Sequence, residues 1–279
     1  MSDYLLYNGS FYKNNELLIT ADNRGLRYGD GLFETLRFKD DKIFFIDWHF
    51  ERLFYGLKLL QFELPGFFTA QYLTGLVISL CKKNQYKCAR IRINIVRGNG
   101  GLYDAENHFP NCIIQSWALP DEGFHLNENG FITGIYNDAK KVTDNFSNLK
   151  NNNFLPYTMG ALYAKKNKWN DALILNTAGR ICDATIANIF IVKSEIIYTS
   201  PLTEGCVAGI MRKYLLENLQ QNGFAIKEKE IFVQDLNEAD EVFLTNVIKG
   251  IRWVSHCGDT VYKNSLTYSI FNKLLKNLS

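Results

Sequence analysis

Residues 87–97 read KCARIRINIVR, a run in which Arg90, Arg92 and Asn94 alternate with Ile91, Ile93 and Ile95. A period of two sends the isoleucines to one side and the polar residues to the other, so the run is a β-strand with one buried and one polar face. The same parity carries Arg97 to the isoleucine side. A guanidinium there requires that the strand end or bulge, or that a buried anion lie opposite.

Working outward from this strand, residues 70–83 read as a helix. From Asp47 onward, Phe50, Leu53, Phe54, Leu57 and Leu60 recur at spacings of three and four, which predicts an amphipathic helix with Asp47 as its N-cap. On it His49, Arg52 and Gly56 share a face. Tyr28-Gly29-Asp30-Gly31 is a glycine-rich turn, and residues 4–7, Asn8-Gly9 and Phe11-Tyr12 form strand, turn and strand, with 16–20 completing a small sheet. In the other direction, WALPDEG at 117–123 carries the proline and acidic residues of a linker. Beyond it, strands at 171–175 and 187–192 flank a turn at 176–179, and helices follow near 212–221 and 268–278. The expected architecture is α/β (α+β) in two domains. A small N-terminal α/β domain spans 1–117, a linker 118–123, and a larger β-rich C-terminal domain 124–279.

The whole chain is consistent with this division. It has 279 residues, 47% hydrophobic and 22% charged, which is ordinary globular composition. Thirty-one Lys and Arg against 29 Asp and Glu leave a net charge of +2, too balanced for a broad nucleic-acid or membrane footprint. The six cysteines (Cys81, Cys88, Cys112, Cys182, Cys206, Cys257) show no CxxC pair, and the N-terminus has no basic segment followed by an apolar one. A cytoplasmic protein with reduced thiols is expected. The four histidines form neither an HxxxH nor an HExxH pattern and there is no GxSxG serine, so metal and serine hydrolysis are disfavoured and no metal is expected.

Four segments carry polar groups in places where chemistry could use them. Lys150 lies in the turn-prone run FSNLKNNN; on spacing alone it is a solvated surface charge, and catalysis would need its amine partly neutral. Residues 205–212, GCVAGIMR, put glycines just ahead of a helix, where backbone N–H groups and the helix dipole collect a phosphate; an ordinary loop would look the same. EVFLTN at 241–246 is an apolar strand ending in Thr245 and Asn246, which either face a ligand or cap the strand end. Asp183 follows the turn at 177–180 and, taken alone, is a turn residue.

Together these segments resemble the class IV aminotransferases, the fold-type IV pyridoxal-phosphate enzymes, over nearly the whole chain. The likeness is carried by RYGDGLFETLR at 27–37, HFERL at 49–53, Leu149-Lys150 with Asn153, GRICDATIANIF at 179–190 and GIMR at 209–212. The resemblance implies a D-amino-acid aminotransferase-like fold, pyridoxal 5'-phosphate as cofactor and a homodimer. It assigns Lys150 as the lysine that carries the cofactor and moves the substrate's Cα proton. Arg52 and the backbone N–H groups of Ile210 and Met211 would hold the phosphate. Asp183 would meet the pyridine nitrogen, and Asn246 occupies the family's strand-end position. Two departures stand out: the family usually has glutamate where this chain has Asp183, and Val247 stands where transaminases often place a phosphate-binding threonine.

Within the family, residues 95–103 (IVRGNGGLY) resemble the glycine-rich segment of 4-amino-4-deoxychorismate lyases, which release pyruvate and p-aminobenzoate in folate biosynthesis. Arg92 falls where branched-chain transaminases bind a substrate carboxylate, so a branched-chain or D-amino-acid aminotransferase is the alternative, and a catalytically silent pyridoxal-phosphate-binding protein is a third. Arg97 is the expected contact for the carboxylate of a small amino-acid-like substrate. Arg92, Tyr28, Phe33 and Tyr103 are further pocket candidates, core packing being the competing role of the aromatics. Residues 98–110 are expected to form a mobile lid.

Overall fold

The computed structural model describes residues 3–16, 18–120, 123–276 and 278. They fall into two compact units, 1–122 with 149–153 and 123–148 with 154–279. The segment 149–153 thus departs from the expected division, packing with the first unit although its flanks on both sides belong to the second.

In the first unit, β1 (Tyr4–Tyr7) and β2 (Ser10–Lys13) form a hairpin, followed by α1 (Arg24–Tyr28), β3 (Gly31–Lys39), β4 (Lys42–Ile43), α2 (Ile46–Leu59), α3 (Ala70–Lys83), β5 (Cys88–Arg97) and β6 (Pro110–Ala118). The sheet order is β2-β1-β6-β5-β3-β4. The described residues of 16–20 add no strand; Leu17 lies outside the described residues, as do Asp121 and Glu122 of the expected linker. Alternation fixes the faces. Leu32, Leu36 and Phe38 of β3 and Ile91, Ile93 and Ile95 of β5 form one buried core with Phe50, Leu53 and Leu57 of α2 and Leu73, Val77 and Leu80 of α3. Each such aliphatic side chain contributes about 2 kcal/mol by leaving water.

The helix at 46–59 starts differently from expectation. Its N-cap is Phe45, in the left-handed region at φ 53° with no side-chain cap, and Phe45 stacks on Trp48 at 5.3 Å. Asp47 lies inside the first turn, where its charge favours the helix N-terminus without capping it.

The second unit contains β7 (Phe131–Lys141), α4 (Leu155–Lys166), β8 (Asp171–Asn176), β9 (Ile181–Ala184), β10 (Asn188–Lys193), β11 (Ile196–Thr199), α5 (Ile210–Leu219), β12 (Ala225–Glu228), α6 (Val233–Glu238), β13 (Glu241–Asn246), β14 (Gly250–Cys257), β15 (Thr260–Val261) and α7 (Ser265–Ile270). The nine strands form a mixed sheet in the order β12-β11-β10-β13-β14-β7-β8-β9, with β15 beside β14. Its central strands are buried on both faces: Leu173, Ile189, Val242 and Leu244 pack on one side, while Phe190 stacks on Phe243 at 4.9 Å. Among the described residues no helix is long and apolar enough to cross a membrane.

Candidate active site

Lys150 is positioned by its backbone. The first residues of β3 have β5 on one side only, and the segment 150–152 takes the other: Phe33 N donates to Lys150 O at 2.8 Å, Asn152 N to Gly31 O at 3.0 Å, and Leu32 bridges Asn151. A lysine that reads as a loop residue is therefore held on a strand edge, its stem half-buried and its Nζ 4.4 Å from the centroid of the Phe33 ring. Leu149, one residue earlier, enters the core and anchors the segment.

Glu34 points from β3 into the same core face as Leu32 and Leu36, at 1% exposure, a place where an isolated charge is costly. Two residues of α2, three apart, compensate it. Arg52 donates Nε to Oε1 at 2.8 Å and Nη2 to Oε2 at 2.6 Å, and His49 Nδ1 lies 2.7 Å from Oε2. Burial raises the Glu34 pKa, but the charges of Arg52 and His49 and their hydrogen bonds outweigh it and hold the carboxyl at about 2. With the carboxylate ionised, His49 donates through Nδ1–H. Burial keeps its imidazole below its ordinary pKa although Glu34 works against this, and Nε2 has no hydrogen-bond partner among the described residues. Glu34 thereby fixes the guanidinium of Arg52 in one orientation. Arg52, Glu34, Phe33 and Lys150 share the wall of one small hollow. The sequence signal for this arrangement is a glutamate in phase with core leucines, which needs cationic partners.

The polar face of the first sheet carries Arg92. Its guanidinium carbon lies 3.8 Å from the Phe33 centroid, and burial, with the charge of Arg90 second, brings its pKa down to about 10. Asn94 Oδ1 and both carboxamide atoms of Asn152 are buried on this unit with no hydrogen-bond partner among the described residues. Neither asparagine is among the candidate site residues of the sequence, although Asn94 lies on the polar face of β5.

Arg97, expected to meet a substrate carboxylate, has its guanidinium paired within the protein. Parity does bury it, at 7% exposure, but the anion opposite is the protein's own Asp30, 3.0 Å from Nε. Nη1 donates to Gln61 O at 3.1 Å and Nη2 to Leu60 O at 2.5 Å, so the guanidinium is consumed by internal partners. Asp30 also receives Arg24 Nε at 2.8 Å, while the rest of the Arg24 guanidinium donates to the carbonyls of Gly100, Leu102 and Tyr103. That clamp ties down the glycine-rich run expected to start a mobile lid. Tyr28 ends α1, where Gly29 at φ 67° supplies the left-handed C-cap, and its ring lies 5.6 Å from that of Tyr103. Tyr103 is 90% exposed. Arg97→Met is expected to lower unfolding stability by about 3 kcal/mol, because Asp30 loses a buried partner. Urea midpoints measure this; a normal midpoint with a raised KM would return Arg97 to the substrate.

In the second unit, α5 begins at Ile210 and its first backbone bond runs from Lys213 N to Gly209 O at 2.9 Å. The N–H groups of Ile210, Met211 and Arg212 therefore have no acceptor within the helix, which is the geometry that binds a phosphate. A Cβ on Gly209 would lie 1.9 Å from Asn188 Oδ1, so a larger residue here would have to displace Asn188. Asp183 is buried in β9 at 2% exposure and accepts hydrogen bonds from Tyr157, Lys141, Asn188 and the backbone of Val207. Asn246 takes the alternative role considered for it. Its Oδ1 accepts from Ile248 N at 3.0 Å and Lys249 N at 2.9 Å, and its Nδ2 donates to Ile186 O, so the carboxamide caps the β13–β14 turn.

The residues present fit pyridoxal 5'-phosphate within each unit. The first supplies an amine beside a phosphate-competent guanidinium; the second supplies open helix N–H groups and a buried carboxylate.

The family model for amino-transferase class IV matches residues 31–257. An aminodeoxychorismate lyase of Vibrio harveyi is 29% identical over 262 residues, covering 93% of this chain and 94% of that protein. A D-alanine aminotransferase of Staphylococcus haemolyticus is 28% identical over 244 residues, 86% and 83% of the two chains. The crystal structure of a branched-chain aminotransferase from Thermoproteus uzoniensis with norvaline superposes with a TM-score of 0.87 at 23% identity, covering 98% of this chain and 94% of that one.

Proposed function

Because the chain belongs to the class IV aminotransferase family, we propose that its reaction is the release of pyruvate from 4-amino-4-deoxychorismate, leaving p-aminobenzoate. The family makes it a pyridoxal 5'-phosphate enzyme, a transaminase or a lyase. The observation that carries the catalytic reading is Lys150, pinned by main-chain bonds to the β3 edge with its amine 4.4 Å from the Phe33 ring centroid. The lyase choice is supported by the likeness of residues 95–103 to the lyases and by the identity shared with the Vibrio harveyi enzyme.

When bound, the cofactor acts as an electron sink that makes the substrate's Cα–H bond acidic. Lys150 would hold it covalently and, once freed, would move the substrate's Cα proton through Nζ. Arg52, oriented by Glu34 and His49, and the N–H groups of Ile210 and Met211 hold the phosphate while that covalent link is open. Asp183 serves the ring nitrogen. Arg92 pairs with a substrate carboxylate, with Phe33 and Tyr28 as pocket walls and Tyr103 near Tyr28. Removing the proton from the amine-bearing ring carbon of aminodeoxychorismate lets pyruvate leave as the ring becomes aromatic, so no amino acceptor is required. We extend the proposal to a cytoplasmic homodimer in the folate pathway.

Transamination is the second reading, favoured by Arg92 lying on the polar sheet face over Phe33. Product identity decides between them. With aminodeoxychorismate, the enzyme is expected to form p-aminobenzoate and pyruvate in equal amounts; glutamate formed from leucine or D-alanine with 2-oxoglutarate, and no p-aminobenzoate, would overturn the lyase.

A further inference from the structure

Asp183 stands where the family has glutamate, one methylene longer, and its setting shows how the shorter side chain is managed. Oδ2 accepts from the Tyr157 hydroxyl at 2.7 Å, from Val207 N at 3.0 Å and from Lys141 Nζ at 3.2 Å, while among the described residues Oδ1 accepts only from Asn188 Nδ2, at 2.9 Å. A carboxylate offers about four acceptor positions, two on each oxygen. Oδ2 is therefore saturated and Oδ1 keeps one.

The donors come from separate elements of the second unit, so together they fix the carboxyl plane. Lys141 is the last residue of β7 and reaches Asp183 after a register slip between Tyr136 and Lys141 in the pairing with β8. Its side chain is 12% exposed, and Nζ also lies 5.1 Å from the Tyr157 ring centroid. Tyr157 comes from the first turn of α4 and Asn188 from the start of β10. Asn188 is itself held, donating to Val207 O at 2.9 Å.

We propose that Lys141 and Tyr157 are positioning residues, which keep Asp183 a carboxylate and occupy Oδ2 so that Oδ1 is left as the acceptor for the ring nitrogen of pyridoxal 5'-phosphate. This rests on the cofactor reading above. Burial raises the pKa of Asp183, and the charge of Lys141 is the largest influence opposing it, ahead of Tyr157 and the Val207 N–H. Without Lys141 the buried group gains a proton, and a neutral acid no longer favours a protonated ring nitrogen.

The test reconstitutes the wild type and the variants Lys141→Met, Lys141→Arg and Tyr157→Phe with pyridoxal 5'-phosphate labelled with 15N in the ring. The ring-nitrogen resonance, the cofactor Kd and the melting curve are then measured. The wild type is expected to show a protonated ring nitrogen. Lys141→Met shifts the resonance to the unprotonated position and weakens the Kd about tenfold or more, and Lys141→Arg restores both. A folded Lys141→Met with the wild-type resonance and Kd overturns the proposal, as does an unprotonated ring in the wild type. If Lys141→Met fails to fold, Tyr157→Phe carries the same test, an unchanged resonance and Kd again overturning it. Wild type that borohydride cannot fix to the cofactor at Lys150 sinks the cofactor reading itself, which separates that failure from this one.

Discussion

Lys150→Ala is expected to remove turnover, by on the order of 10^4-fold or more, while the fold survives. The loss is large because one amine both carries the cofactor and moves the proton, so no second group inherits either task. The fold survives because what holds the segment is the main chain: the bonds from Phe33 N to Lys150 O and from Asn152 N to Gly31 O do not involve the side chain. The measurement pairs single-turnover kinetics with borohydride fixation, and peptide mapping should find no labelled peptide in the variant. Residual activity within tenfold of wild type would remove Lys150 from the chemistry.

Glu34→Gln should be costly in another way. It leaves Arg52 and His49 beside a neutral amide in the core, and removing one partner of a buried ion pair costs about 3–5 kcal/mol. The linkage gives a similar size. Folding moves the Glu34 carboxyl from 4.5 to about 2, a difference worth about 3 kcal/mol at neutral pH. Because the folded pKa is the lower one, this stability is complete above about pH 4.5 and fades as the pH drops toward about 2. His49 adds in the same direction: its folded pKa lies below the ordinary 6.5, so the unfolded chain takes up its proton first as the pH falls. Chemical denaturation from pH 7 to 3 should therefore show wild-type stability falling and Glu34→Gln falling less steeply. Parallel curves would refute the assignment. The variant should also bind cofactor more weakly, since Arg52 loses the carboxylate that orients it.

Elements governed by apolar spacing are legible in the sequence. The helix at Ala70–Lys83 and the strand ending at Arg97 follow directly from apolar spacing. The entry to α2 was not, because Phe45 enters it from a left-handed conformation that no local pattern demands of a phenylalanine. Parity identified Arg97 as a buried cation needing an anion, but not that the anion was Asp30, 67 residues earlier in the chain. Glu34 and its two helix partners were each legible as parts of a motif, whereas their contact spans 15 and 18 residues and appears only when α2 packs on β3. Lys141 gave no signal at all, since a lysine in a polar run reads as surface until a register slip turns it inward. Asn246 fits two roles equally well in sequence, and in the structure its carboxamide caps the β13–β14 turn.

The five residues 149–153 complete the first unit's sheet while the chain on either side of them belongs to the second. A gene cut after residue 122 would thus yield an N-terminal fragment whose Gly31–Phe33 backbone has lost its bonding partner, a bare edge that invites aggregation. The two halves cannot be shuffled as independent cassettes: any recombinant that swaps one must bring along a matching pentapeptide from the interior of the other.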